Sequence, residues 1–182
     1  MARHVAFLRA INLGRARKVP MVDLRRCLEE AGLTDVETYI QTGNVRFGTS
    51  LRSRERIERY VEDALAASFG FEVPTIVLTP AQLRRVYDDA VGLTRDTDPV
   101  DVRRYVTLLK ADPPAEAVEE VDDWNIEGER ATVLGRAVHW MVPGPSQAAK
   151  LSNARIEKAL GVATTRDLKV IRTLADRWGG GT

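Results

Sequence analysis

Ile57, Tyr60, Val61, Ala64, Leu65 and Phe69 recur at helical spacing and form the clearest one-sided apolar stripe in the chain. A helix of that length needs a second apolar surface to cover it, and its flanks supply one. Residues 5–8 are a continuous apolar run that reads as a strand buried on both faces. Pro20 then opens a helix whose apolar face is Met21, Leu24, Leu28 and Ala31, with Gly32 as its stop. Residues 36–41 and 45–47 flank Thr42-Gly43-Asn44 as two strands of a hairpin, and residues 73–78 return as a strand with Pro74 near its start. Strand, helix, two strands, helix, strand is the order of a split βαβ, or ferredoxin-like, unit. Residues 1–92 are therefore expected to form a ferredoxin-like (βαββαβ) half of an α+β protein.

Thr79-Pro80 starts a further helix through Leu83, Val86, Tyr87 and Ala90, and residues 92–101 read as a junction rich in Gly, Pro and Asp. A smaller α+β half is expected over residues 100–182. Its parts are a strand at 105–109, a short acidic helix after Pro113-Pro114, and a hairpin of 130–134 with 137–142 across Gly135-Arg136. Two helices close the chain, from about 148 to 160 and from 166 to 177, with Gly161 as stop and Thr165 as start, before a frayed tail at Gly179-Gly180-Gly181. The halves share a loose element order but no residue-level repeat. They are read as two small domains or as one continuous domain.

With 44% apolar and 29% charged residues over 182 positions, the chain has enough apolar material for a core, which excludes disorder and collagen-like arrays. A single cysteine, Cys27, and two histidines exclude a disulfide framework and a Cys/His zinc site. Cys27 adjoins Leu24 and Leu28 and reads as a core residue. No apolar run reaches the length of a membrane span and no signal peptide is evident, so a cytoplasmic protein without a membrane partner is expected.

The 27 basic and 26 acidic residues nearly cancel, but residues 1–60 hold 12 basic and 7 acidic side chains, residues 88–130 hold 5 and 13, and residues 131–182 hold 8 and 3. Basic ends suit an anionic partner if they meet; otherwise acidic and basic surfaces face each other within the protein. Arg9, Asn12, Arg15, Arg17 and Lys18 crowd the loop between the first strand and the first helix, where phosphate and carboxylate sites commonly lie. Only one Gly is present there, so neither a dinucleotide fingerprint nor a P-loop is formed. Gln41, Thr42 and Asn44 bring amides and a hydroxyl to the hairpin end, or simply serve its turn. Lys150, Ser152 and Asn153 fall near one helix start and Thr164, Thr165 and Arg166 near the next, as anion contacts or as caps. His139 has no second histidine near it. Asp122 and Asp123 read as solvated surface. The segment from Ile156 to Arg172 suggests a helix-turn-helix whose packing positions fall one residue late.

Phe7-Leu-Arg-Ala-Ile-Asn-Leu-Gly14, Lys18-Val-Pro-Met21, Tyr39-Ile-Gln-Thr-Gly-Asn-Val45, Lys150-Leu-Ser-Asn153 and Ala163-Thr-Thr-Arg166 occur in that order. Together they resemble the bacterial domain-of-unknown-function family 1697. That resemblance implies a cytoplasmic α+β protein with a mixed, largely antiparallel sheet wrapped by helices, and supplies no activity, cofactor or partner. It groups Arg9, Asn12, Lys18, Gln41, Gly43, Asn44, Lys150, Ser152, Asn153, Thr165 and Arg166 as signature positions. Ala10 and Arg15 stand where that pattern often has Gly, and Asp167 where it has Asn.

The expectation is a binding protein with a polar, basic cleft for a phosphate-bearing small molecule or nucleotide, formed by Arg9, Asn12, Lys18, Gln41, Asn44, Lys150, Ser152, Asn153 and Arg166. Two alternatives accompany it: an enzyme using Lys18 or Lys150 as acid/base with Asn44 and Asn153 orienting, and a nucleic-acid binder working through the basic ends or the helix-turn-helix-like C-terminus. No metal site and no identified cofactor enter the reading.

Overall fold

The structure is a computed structural model and describes residues 1–14, 16–122, 124–144 and 149–180. The chain divides into one unit of Met1–Leu83 with Arg177–Thr182 and a second of Arg84–Asp176. The first unit contains β1 (Ala2–Leu8), α1 (Met21–Glu30), β2 (Thr34–Tyr39), β3 (Asn44–Thr49), α2 (Arg54–Phe69) and β4 (Thr75–Leu78), and α3 (Pro80–Gly92) follows. Its sheet order is β2-β3-β1-β4 with every pairing antiparallel. That is the ferredoxin-like arrangement expected from the element order.

Strand alternation explains how the sheet faces are used. Ala6 and Leu8 of β1, Val45 and Phe47 of β3 and Val77 of β4 join Leu24 and Leu28 of α1 and Ile57, Val61 and Leu65 of α2 in one buried core. Gly70, at φ 76°, ends α2 where a left-handed residue is needed. The outer edge of β4 is closed by helix carboxylates rather than by another strand. Glu62 accepts from the N–H of Thr75 at 2.7 Å, and Glu58, 3% exposed, accepts from that of Val77 at 3.0 Å. Cys27 is a buried residue of this core, as expected, with its thiol 3.4 Å from the carbonyl of Ala64.

The second unit repeats the same plan. It contains β5 (Arg103–Leu109), α4 (Ala115–Asp122), β6 (Asn125–Ile126), β7 (Glu129–Leu134), β8 (Ala137–Val142), α5 (Asn153–Leu160) and β9 (Ala163–Asp167), and α6 (Leu168–Trp178) belongs to it up to Asp176. The order β6-β7-β8-β5-β9 is antiparallel throughout, and apart from the two-residue β6 it matches the first sheet strand for strand. The loose similarity of the halves is thus a repeated topology without a repeated sequence. Val138, Trp140 and Val142 of β8 point into a core with Leu109, Ile156 and Leu160. Arg130, Thr132, Arg104, His139 and Met141 occupy the opposite face by alternation.

Several local expectations are corrected. Residues 166–167 belong to β9, which pairs with β5 from Tyr105↔Asp167 to Leu109↔Ala163, so the last helix starts at Leu168 rather than at Arg166. β-Branched Thr164 and Thr165 favour this strand, and Asp167, not Thr165, caps α6 by accepting from the N–H of Lys169 at 2.7 Å. A strand between α5 and α6 also rules out the helix-turn-helix. Finally, β6 was missed because two exposed residues carry no periodic signal. Residues 145–148, Arg15, Asp123 and Gly181, on which parts of the sequence reading fall, lie outside the described residues. Gly179, expected in a frayed tail, is buried.

Candidate functional site

The loop from Arg9 to Val19 leaves the end of β1 and is held by its own side chains. Asn12 donates from Nδ2 to the carbonyl oxygens of Val19 and Gln41, each at 2.9 Å, and its Oδ1 accepts from the N–H of Val19 at 2.8 Å. That amide therefore ties the loop both to itself and to the hairpin. Arg17 donates from Nε to the carbonyl of Ala10 at 2.9 Å and from Nη2 to that of Glu72 at 2.5 Å, with its guanidinium 4.8 Å from the Phe71 ring centroid. Ala10, Asn12, Arg17 and Ile40 all have φ between 50° and 55°, a costly backbone for residues with a Cβ and especially for β-branched Ile40. The hairpin meets the loop closely: a Cβ on Gly43, at φ 80°, would lie 2.7 Å from Leu8 Cβ.

This scaffold leaves a cavity of about 440 Å³ lined by Asn12, Lys18, Pro20, Met21, Val22 and Gln41. Lys18 is exposed, and among the described residues its ammonium has no hydrogen-bond or ion-pair partner. Pro20 is the N-cap of α1 and offers no side-chain cap. The first helix N–H to find a backbone acceptor is that of Leu24, on Pro20 O at 2.9 Å, which leaves those of Met21, Val22 and Asp23 unpaired among the described residues. A cation and the positive end of a helix thus share one cavity, an arrangement that attracts a phosphate or carboxylate. Leu13, Val22 and Ile40 are 67%, 65% and 43% exposed, so the segments forming the site also present apolar surface.

Of the other predicted residues in this unit, Asn44 is wholly buried and donates to the carbonyl of Tyr39 and the hydroxyl of Thr42, each at 3.0 Å. It serves the turn. Arg9 is half-buried and its N–H reaches Pro74 O at 2.9 Å.

Lys150, Ser152, Asn153 and Arg166 belong to the second unit, where the protein's own groups meet them. Glu129, 4% exposed, accepts from the N–H of Lys150 at 2.6 Å, that of Leu151 at 2.8 Å and the Trp124 indole at 3.2 Å. A carboxylate of the chain itself thus stands where an external anion was expected. Lys150 Nζ pairs with Glu127 at 2.5 Å, and Ser152 caps α5 by accepting from the N–H of Arg155 at 3.3 Å. Asn153 bridges Glu157 at 3.0 Å and the Thr165 hydroxyl at 2.7 Å. Arg166 is a buried strand residue, not a helix-start residue; it donates to Thr164 Oγ1 at 2.8 Å, and burial lowers its pKa to about 10. Nothing local in the sequence marks Glu129 among the 13 acidic residues of 88–130.

Two ferredoxin-like units in tandem, the first with a basic loop beside a helix start, define an α+β protein. The chain belongs to the family described as "Protein of unknown function (DUF1697)", whose model matches residues 1–139. It is similar in fold to the conserved bacterial protein SP0830 from Streptococcus pneumoniae, at 21% identity over 96% of this chain and 97% of that one, with a TM-score of 0.71. No curated protein matches it. Among the described residues no helix is long and apolar enough to cross a membrane.

Proposed function

We propose that the protein binds a phosphate-bearing small molecule or nucleotide in the cavity between the first loop and the start of α1, in the cytoplasm of a bacterium. The observation that carries this reading is Lys18, unpaired beside the uncapped first turn of α1 in a cavity of about 440 Å³. Lys18 supplies charge and the N–H groups of Met21 and Val22 supply direction. Exposed Leu13, Val22 and Ile40 favour a ligand with an apolar portion beyond its phosphate.

A thermal-shift screen against orthophosphate, nucleotides and phosphorylated cofactors tests it. A ligand at 100 times its Kd adds about 2.7 kcal/mol of stability. The expected result is stabilisation by a phosphate-bearing compound that disappears in Lys18→Ala. Stabilisation retained in that variant, or none from any phosphate compound, contradicts the reading.

A further inference from the structure

The second unit holds a cavity of about 340 Å³ whose lining includes Arg95, Arg104, Arg130 and His139, the carboxylate of Asp122, and Trp140. The two arginines at its base are fixed by one carboxylate. Asp98, whose side chain is 5% exposed, pairs with both Arg104 and Arg130 and also accepts from the N–H of Arg95 at 2.9 Å. Burial alone would raise the Asp98 carboxyl, but the hydrogen bonds from Arg104 and the Arg95 backbone and the two guanidinium charges hold it at about 2. Arg104 meets Asp98 through one nitrogen, and Arg130 meets Asp98 and the Met141 sulfur through one, while a guanidinium carries five N–H donors. The exposed Arg95 side chain has no partner among the described residues. Asp98 thus neutralises part of two guanidiniums, and Asp122, which accepts from the N–H of Val133 at 2.7 Å, is the carboxylate in the lining, so three arginines outnumber the two carboxylates around the cavity.

His139 is among the residues lining this cavity. It is 6% exposed, and neither ring nitrogen has a hydrogen-bond partner among the described residues. Desolvation lowers its pKa to about 4 despite the opposing charge of Asp89, so the ring is neutral at pH 7 and presents one donor and one acceptor. Buried polar groups in a folded protein generally find partners, and a neutral imidazole suits a hydroxyl, which also donates and accepts. Leu93 and Leu168, with Ala90 and Met141, give the same space apolar walls.

We propose that this cavity binds a small organic acid, its carboxylate held by the free donors of Arg95, Arg104 and Arg130, its hydrocarbon body against Leu93 and Leu168, and a hydroxyl on His139. Guanidinium forks match a planar carboxylate, and the volume is at the lower end for ligand sites. Every lining residue belongs to the second unit, whereas Lys18 belongs to the first.

Imidazole NMR of the full-length protein at pH 7 tests it, because the chain has only two histidines and His4 is an internal reference. The probes are 3-hydroxybutyrate, butyrate, 1,3-butanediol and inorganic phosphate, with His139→Gln used to assign the signal. The hydroxy acid is expected to shift the His139 resonances saturably without moving those of His4, and to bind more tightly than butyrate. Arg95→Ala, at an exposed position, is expected to weaken it about tenfold, the loss of one charge-assisted hydrogen bond, while Glu30→Ala, exposed and in neither cavity, leaves it unchanged. No saturable shift with either carboxylate overturns the proposal. So does an equal response to phosphate or to the diol, and equal affinity for butyrate removes His139 from the site.

Discussion

The side-chain amide of Asn12 engages both backbone groups of Val19, donating to its carbonyl at 2.9 Å and accepting from its N–H at 2.8 Å. Lys18 is thereby flanked by a fixed residue, and the loop closes without a second glycine. Asn also tolerates its φ of 55° better than most residues. Asn12→Ala is expected to lower unfolding free energy by about 2 kcal/mol, from lost hydrogen bonds and left-handed strain. Urea denaturation measures this, and faster hydrogen exchange at the Val19 amide localises it.

Gly43→Ala tests the contact between hairpin and loop. The added methyl would meet Leu8 Cβ at 2.7 Å and Ile11 Cδ1 at 2.8 Å on a backbone that already disfavours it. A loss on the order of 3 kcal/mol is expected in the same denaturation experiment.

Glu129 organises the entry to α5. Glu129→Ala leaves two backbone N–H groups and an indole N–H without their acceptor, and about 3 to 5 kcal/mol of destabilisation follows. Glu129→Gln, which retains one acceptor oxygen, is expected to lose less. Denaturation followed by tryptophan fluorescence compares the two.

The pH dependence of stability has a defined sign. His139 has a folded pKa of about 4 against an ordinary 6.5, so above pH 6.5 neither folded nor unfolded chain holds that proton. As pH falls from 6.5 towards 4 the unfolded chain gains a proton that the folded one refuses, and stability declines by on the order of 3 kcal/mol. His4, lowered by burial, acts in the same direction. Asp98 contributes above its ordinary pKa of 3.8, and that contribution is lost as pH falls towards 2. A His139→Leu variant is expected to show a flatter profile between pH 6.5 and 4; an unchanged slope contradicts the assignment.

The first unit was legible because its signals are local. The Ile57–Phe69 stripe, Pro20 and Gly32 each fix an element or an end from nearby residues. β9 was not, because Ala163–Asp167 becomes a strand only by pairing with β5, nearly sixty residues earlier. Lys18 and Gln41 were legible as candidates and line one cavity with Asn12. Asn12, Asn44, Ser152 and Asn153 were equally visible as polar positions, yet each makes hydrogen bonds within the protein. Composition does not distinguish a side chain that builds a loop from one that serves a ligand. Asp98 and Glu129 were hidden for the same reason, since their partners lie at other strands and helix starts.

The most direct measurement is an amide NMR titration of the full chain with orthophosphate and with the phosphate compound giving the largest thermal shift. Saturable shifts centred on Lys18, Met21, Val22 and Gln41, lost in Lys18→Ala while the rest of the spectrum is unchanged, are predicted. Shifts elsewhere only, or no saturable change at these residues, would contradict the assignment of this cavity as the phosphate site.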